Sequence, residues 1–193
     1  MSRRESRRPL AHDDRERSPG WRPVIELLTA DAARRERAPL VALLQDVVDA
    51  GASVGFLPPL GADEAGRYWD GVFAAVGKDT RGLWLARAAA DIVGTVQLDL
   101  EKRPNGNHRA EVMKLMVHTS ARRRGVGRAL MLAAEAEARR RGRTTLVLDT
   151  RRGDPSEPLY LSLGWTLAGV IPRYARSAGG RLDASAFYYR LLQ

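Results

Sequence analysis

Glu111 is a carboxylate set among Val112, Met113 and Leu115, in a stretch whose pattern otherwise reads as a half-buried strand. A carboxylate held there can take a proton from an ammonium, directly or through a water, and so free an amine to attack as a nucleophile. The plainer reading is a surface residue at the start of the strand. Asp149 closes a second apolar run, Leu146-Val147-Leu148, and is again charged where a neutral residue would be expected; a solvated strand end or a helix cap is its ordinary alternative. The segment Arg122-Arg123-Arg124-Gly125-Val126-Gly127-Arg128 lies between them. It links a strand pattern ending at Val117 to a helical one. Amides at a helix N-terminus lack internal partners, and the dipole there favours anions. Gly125 and Gly127 let a phosphate approach the backbone without a Cβ clash, and the four arginines add charge around it. The assembly suits a pyrophosphate. Two familiar phosphate loops are excluded: nothing matches G-x-x-x-x-G-K-[ST], and G-x-G-x-x-G fails because position 130 is Leu130. His108 and His118 lack metal-ligand spacing and read as structural; no metal site is expected.

Elements that would hold these residues can be read along the chain. Residues 1–20 are polar, end in Ser18-Pro19-Gly20 and read as a disordered basic leader; residues 21–193 read as one domain. Trp21 to Leu28 forms a first strand, and Thr29 or Asp31 caps a helix running to about Ala50, with Leu40, Leu43, Leu44 and Val47 on one face. A Gly/Pro-rich loop, 51–61, precedes a helix from Ala62 to about Val76. Three strands follow: one around Leu83–Ala86, one over Ile92–Leu100 and one over His108–Val117, the last two joined at Pro104-Asn105-Gly106-Asn107. Then come a helix from about Gly125 to Arg141, a strand Thr144–Asp149, a short helix near Glu157–Leu163, and strands near Trp165–Ile171 and Ala186–Leu191. Strand alternation places Glu111, Met113, Leu115 and Val117 on one face. The order βαα, three antiparallel strands, then αβαββ is that of a mixed α/β domain.

Composition narrows the function classes. The 193 residues carry a net charge of +9 and no cysteine, which removes disulfides, thiolate zinc sites, iron–sulfur clusters and cysteine nucleophiles. No apolar run approaches the roughly 18 residues of a membrane span, and the N-terminal arginines have no apolar stretch behind them, so a cytoplasmic protein is expected. Residues 122–143 hold eight Arg against Glu135 and Glu137, whereas a general nucleic-acid binder would spread its charge over a broader footprint. A small anionic partner bound at that segment is the better expectation.

Arg122-x-x-Gly125-x-Gly127 matches the R/Q-x-x-G-x-G/A signature of the GNAT superfamily of N-acetyltransferases. Leu115-Met116-Val117 on the preceding strand, and Leu159-Tyr160-x-x-x-Gly164-Trp165 downstream, resemble further elements of that family. The blocks Gly51-Ala-Ser-Val-Gly-Phe56, Lys102-x-Pro-Asn-Gly106, Arg109-Ala-Glu-Val-Met-Lys-Leu-Met-Val117, Leu148-Asp-Thr150 and Gly180-Arg-Leu182 look like its tabtoxin-resistance branch, whose members acetylate an antibiotic amino acid.

The resemblance implies a mostly antiparallel sheet flanked by helices, with the strand 108–117 splayed from 144–150. It implies acetyl-CoA as co-substrate, its pantetheine paired with the backbone of Leu115 to Val117 and its pyrophosphate on the 122–128 turn. A main-chain amide at Met116 or Val117 would polarise the thioester carbonyl. Glu111 would be the base, Asp149 would hold the acceptor ammonium or share that role, and Tyr160 would protonate the departing thiolate. A small, amino-acid-like amine is the implied acceptor, under a lid formed by the 51–61 loop, and a homodimer the implied assembly. One departure stands out: Gly153 occupies a position where many members carry an asparagine contacting the pantetheine.

Overall fold

The computed structural model describes residues 22–192; the leader 1–20 and Trp21 lie outside them. β1 (Val24–Leu27) leads into α1 (Ala30–Arg35), which is capped by Thr29: its hydroxyl accepts from the Ala32 amide at 3.3 Å. A single helix to about Ala50 was expected, but the chain breaks at Glu36 and restarts as α2 (Arg37–Asp49). Pro39 explains the break, because it has no N–H to give and its ring excludes the carbonyl four residues back; it is tolerated only in a first turn. α3 (Ala62–Gly77) follows the 50–61 segment.

β2 (Arg81–Ala88), β3 (Asp91–Leu100) and β4 (Arg109–Val117) form the expected antiparallel meander. A 3-10 turn, Thr119–Ala121, precedes α4 (Val126–Arg140); then come β5 (Thr145–Arg151), α5 (Glu157–Ser162), β6 (Thr166–Arg176) and β7 (Leu182–Leu191). The seven strands lie in the order β1-β2-β3-β4-β5-β7-β6, antiparallel except for β4 against β5. β6 is the open margin on one side, exposed along nearly its whole length, and its pairing with β7 is irregular between Ile171 and Ala175.

Two cores sandwich the sheet. On one face α1, α2 and α3 bury Leu40, Leu44, Val47, Trp69 and Phe73 against Leu83, Leu85 and Met116. On the other, α4 buries Val126, Leu130, Met131 and Ala134 against Trp84, Val96, Val112 and Leu148. Alternation along β2 therefore sends consecutive side chains to different cores, Leu83 and Leu85 to one and Trp84 and Ala86 to the other.

Candidate active site

The site is built where β4 and β5 part. Their parallel pairing covers Arg109↔Thr145, Ala110↔Leu146 and Glu111↔Val147 and stops there, while β4 continues for six residues with no ladder to β5. Beyond Glu111 the margin of β4 that faces β5 is an unpaired backbone edge, the type of surface to which an extended chain adds as a further strand.

β4 does not alternate as expected. Thr95 pairs with Met116 but Gln97 with Met113, so Lys114 and Leu115 both oppose Val96, and Lys114 takes φ 51°. This bulge reverses the parity of the strand. Ala110, Val112, Leu115 and Val117 all pack on the α4 side, while Met116 joins the α2–α3 core. The expectation that Leu115 and Val117 share a face with Glu111 is corrected accordingly. The two now flank α4: a Cβ added to Gly127 would stand 3.9 Å from each.

Glu111 and Asp149 do share a face. Leu146 and Leu148 belong to the α4 core, so Val147 and Asp149 point to the other side, as Glu111 does. Burial raises the Glu111 carboxyl above the ordinary carboxylate range, with the nearby charges of Asp149 and Asp99 pushing the same way. Asp149 is exposed, and its Oδ2 accepts from the Ser185 hydroxyl at 2.7 Å.

Around them stand groups that the motifs did not point to. Arg81 grips Asp99 at 2.8 Å, Gln97 donates to the Tyr68 hydroxyl at 2.8 Å, and Lys114 donates to the Val54 carbonyl at 2.7 Å. A signal for Lys114 was present, since it is charged inside an apolar strand as Glu111 is. Glu111 lines a cleft of about 530 Å³ beneath the β3–β4 hairpin. A second cleft, of about 290 Å³, separates residues 51–58 from Arg151 and from Ala175–Ala178 and Asp183 of the β6–β7 hairpin. Asp149 lines neither cleft.

The basic turn has the geometry of an anion cradle. Gly125 caps α4 in the left-handed region at φ 84°, a conformation glycine adopts at little cost, and it contributes no side chain to the first-turn amides. Arg122, Arg123, Arg124, Gly125 and Arg128 are exposed, whereas Val126 is buried, so any contact it makes to an anion is through its amide. Arg122 reaches back to the Val117 carbonyl at 3.4 Å, and Arg128 donates to Ser162 of α5 at 3.1 Å. A Cβ on Gly127 would come within 3.2 Å of Leu159, so α5 as well as any phosphate restricts this position. Farther along, Arg140 and Arg141 pair with Glu137, and Arg141 also pairs with Asp79. The C-terminal arginines of α4 thus serve the fold and do not form a free basic stripe.

Tyr160 lies on α5, 6% exposed, with ring centroids of Trp165 at 6.3 Å and Tyr188 at 5.9 Å. Burial pushes its phenol up to about 12, partly offset by a hydrogen bond with Ser156. α5 is anchored by Glu157, which accepts from the Tyr188 hydroxyl, from Arg152 at 2.7 Å and from the Gly153 amide at 2.5 Å. Gly153, at φ 83°, is thus occupied by an internal contact. His118 caps the 3-10 turn through the Ser120 amide and sits 3.6 Å from Asp46, a structural role.

Known proteins match this architecture. An N-acetyltransferase of Staphylococcus aureus superposes with a TM-score of 0.76 at 18% identity, over 89% of this chain and 99% of that one. A Salmonella typhimurium acetyltransferase solved with its cofactor acetyl-CoA gives 0.72 at 18%, over 89% and 95%. An uncharacterized N-acetyltransferase from the hisH-hisA intergenic region of Azospirillum brasilense is 33% identical over 125 residues, which is 64% of this chain and 73% of that protein. The sequence profile of the acetyltransferase (GNAT) family matches residues 26–165, and with the parted strands and the glycine turn in place the chain belongs to that family.

Proposed function

We propose that the protein transfers an acetyl group from acetyl-CoA to the amine of a small, amino-acid-like molecule, by direct attack within a ternary complex. The observation that carries this reading is the pair Glu111 and Asp149, one on each strand, on one face of the sheet, where the β4–β5 ladder ends. The thioester supplies an activated carbonyl. The β4 edge from Leu115 to Val117 would hold the pantetheine, with an amide at Met116 or Val117 donating to the developing oxyanion. Residues Arg122 to Arg128 would hold the pyrophosphate. Asp149 would attract and orient the acceptor's ammonium, and Glu111, made a stronger base than an ordinary carboxylate by its burial and by the charges of Asp149 and Asp99, would remove one proton. As the C–N bond forms and the C–S bond breaks, Tyr160 would donate to the departing sulfur.

The size of the second cleft supports a small acceptor over a protein amine. At about 290 Å³ it lies just below the roughly 300–1,000 Å³ of sites for drug-sized ligands, a size suited to a smaller acceptor. The pairing of Arg140 and Arg141 with acids disfavours a nucleic-acid module. We also assign a homodimer and a cytoplasmic reaction; the exposed apolar side chains Leu167, Val170, Ile171 and Tyr174 of β6 support the former, and light scattering tests it.

The test of the main reading has two stages. Calorimetry should show acetyl-CoA binding, and a panel of amino acids and simple amines should then be screened by CoA release. Binding with no turnover on any amine would replace the reading with that of an acetyl-CoA sensor. DNA retention without an acetyl-CoA-induced thermal shift would replace it with a nucleic-acid module.

A further inference from the structure

Lys114 holds an unusual place in β4. It is a non-glycine residue at φ 51° in the interior of a strand, a costly backbone state that persists only where the surroundings enforce it. The bulge at this residue carries its side chain to the 50–61 segment. There Nζ donates to the Val54 carbonyl at 2.7 Å and lies 6.0 Å from the ring centroids of both Phe56 and Tyr68. An ammonium over two aromatic faces and on one carbonyl is a charge-assisted tether. The fit on the loop side is close: a Cβ added to Gly55 would come within 3.0 Å of Nζ. Apart from this tether, the backbone bonds of the loop are short-range, from Ala52 to Val47 and from Val54 to Ala52, with Arg151 reaching the Gly51 carbonyl at 3.1 Å and Gln45 the Leu60 carbonyl at 2.9 Å.

We propose that Lys114 is a positioning residue that latches the 51–58 wall of the second cleft onto β4, fixing the acceptor cleft relative to Glu111 and Asp149. The assignment of that cleft to the acceptor rests on the function proposed above; the latch itself does not. One strand then carries the proposed base, the latch and the edge offered to the donor, so acceptor placement is set by the same backbone irregularity that turns Leu115 and Val117 toward α4.

The test is amide hydrogen exchange on the full chain. Lys114→Met should speed exchange of the 52–57 amides by roughly tenfold or more, the consequence of losing one charge-assisted hydrogen bond, with β3 and β5 unchanged. Lys114→Arg should restore part of the protection. Phe56→Leu, which removes one of the two aromatic faces beside the ammonium, should loosen the same amides and serves if Lys114→Met does not fold. With a confirmed acceptor, Lys114→Met should raise KM far more than it lowers kcat and leave acetyl-CoA affinity intact. Unchanged loop exchange in both variants, or an equal rise throughout the sheet, overturns the latch. Loosened exchange with an unaltered acceptor KM would retain the latch and remove the cleft from acceptor binding.

Discussion

Tyr160→Phe separates chemistry from packing with unusual clarity, because the two effects differ in size. The ring stays, so its contacts with Trp165 and Tyr188 survive and no cavity opens. What is lost is a hydroxyl whose hydrogen bond with Ser156 is worth about 0.5–1.5 kcal/mol. In a chain of this length that shifts Tm by a few degrees, at about 2–4 °C per kcal/mol. Set against a typical stability of about 5–15 kcal/mol, the variant remains folded at 25 °C. The kinetic loss should be larger. General acid catalysis contributes roughly 10²–10⁴-fold. A phenol held near 12 is a weaker acid than an ordinary thiol at about 8.5, so Tyr160 would act mainly by donating a hydrogen bond to the sulfur as the C–S bond breaks. That places the loss at the lower end, about 10²-fold in kcat or about 2.7 kcal/mol at 1.36 kcal/mol per decade. The assay pairs calorimetric Tm and acetyl-CoA affinity with CoA release on a confirmed acceptor. Turnover at the wild-type rate makes Tyr160 a packing residue; a fall in kcat matched by a fall in acetyl-CoA affinity assigns it to binding.

Glu111→Gln and Asp149→Asn should each lower kcat/KM for the amine while sparing acetyl-CoA affinity, and the double variant should lose less than the product of the single losses if the two act as a unit. Asp149→Asn removes a charge that helps to raise Glu111, so the acidic limb of kcat/KM should move to lower pH; no movement would mean the carboxylates are uncoupled. Gly127→Val should weaken acetyl-CoA binding, and the wild-type affinity should fall as salt rises. Gly127→Ala should do less, since the Cβ meets only the flexible tip of Leu159 at 3.2 Å; equal affinity in folded Gly127→Val removes the pyrophosphate from this turn. Glu137 is held down to about 2 by Arg140 and then Arg141, below its usual 4.5, so its ionised form stabilises the fold above about 4.5 and that contribution is lost as pH falls toward 2. The Tm deficit of Glu137→Gln at neutral pH should therefore shrink over that window, and a deficit independent of pH would refute the linkage.

Local chemistry made much of this legible before any coordinates. The glycine turn announces itself because a bare backbone at a helix start requires Gly125 and Gly127, and the meander is written in turn residues such as Asn105-Gly106. The break near Pro39 was equally visible, yet the cap signal at Thr29 or Asp31 stands before it and the apolar spacing of Leu40, Leu43 and Leu44 after it, which invites a single helix. The bulge at Lys114 was not legible. Strand alternation assumes one residue opposite one, and two-for-one pairing against Val96 depends on how β3 and β4 twist together. Nor could spacing show that Ser185 would donate to Asp149, because the two lie 36 positions apart in sequence and β7 returns to β5 only through a change of sheet order.

β6 carries a consequence for behaviour at high concentration. An eleven-residue strand at a sheet margin, with Leu167, Val170, Ile171 and Tyr174 exposed, is a template on which other chains can grow, edge upon edge, into aggregates. Here the template is spoiled at its centre. Pro172 offers no N–H, Arg173 turns to φ 55°, and regular pairing lapses between Ile171 and Ala175. An incoming strand would lose its ladder halfway and meet two cationic side chains, Arg173 and Arg176, near the interruption. The irregularity acts as a gatekeeper: the exposed surface remains open to contacts between side chains, while continuous backbone zippering, the route to fibres, is blocked.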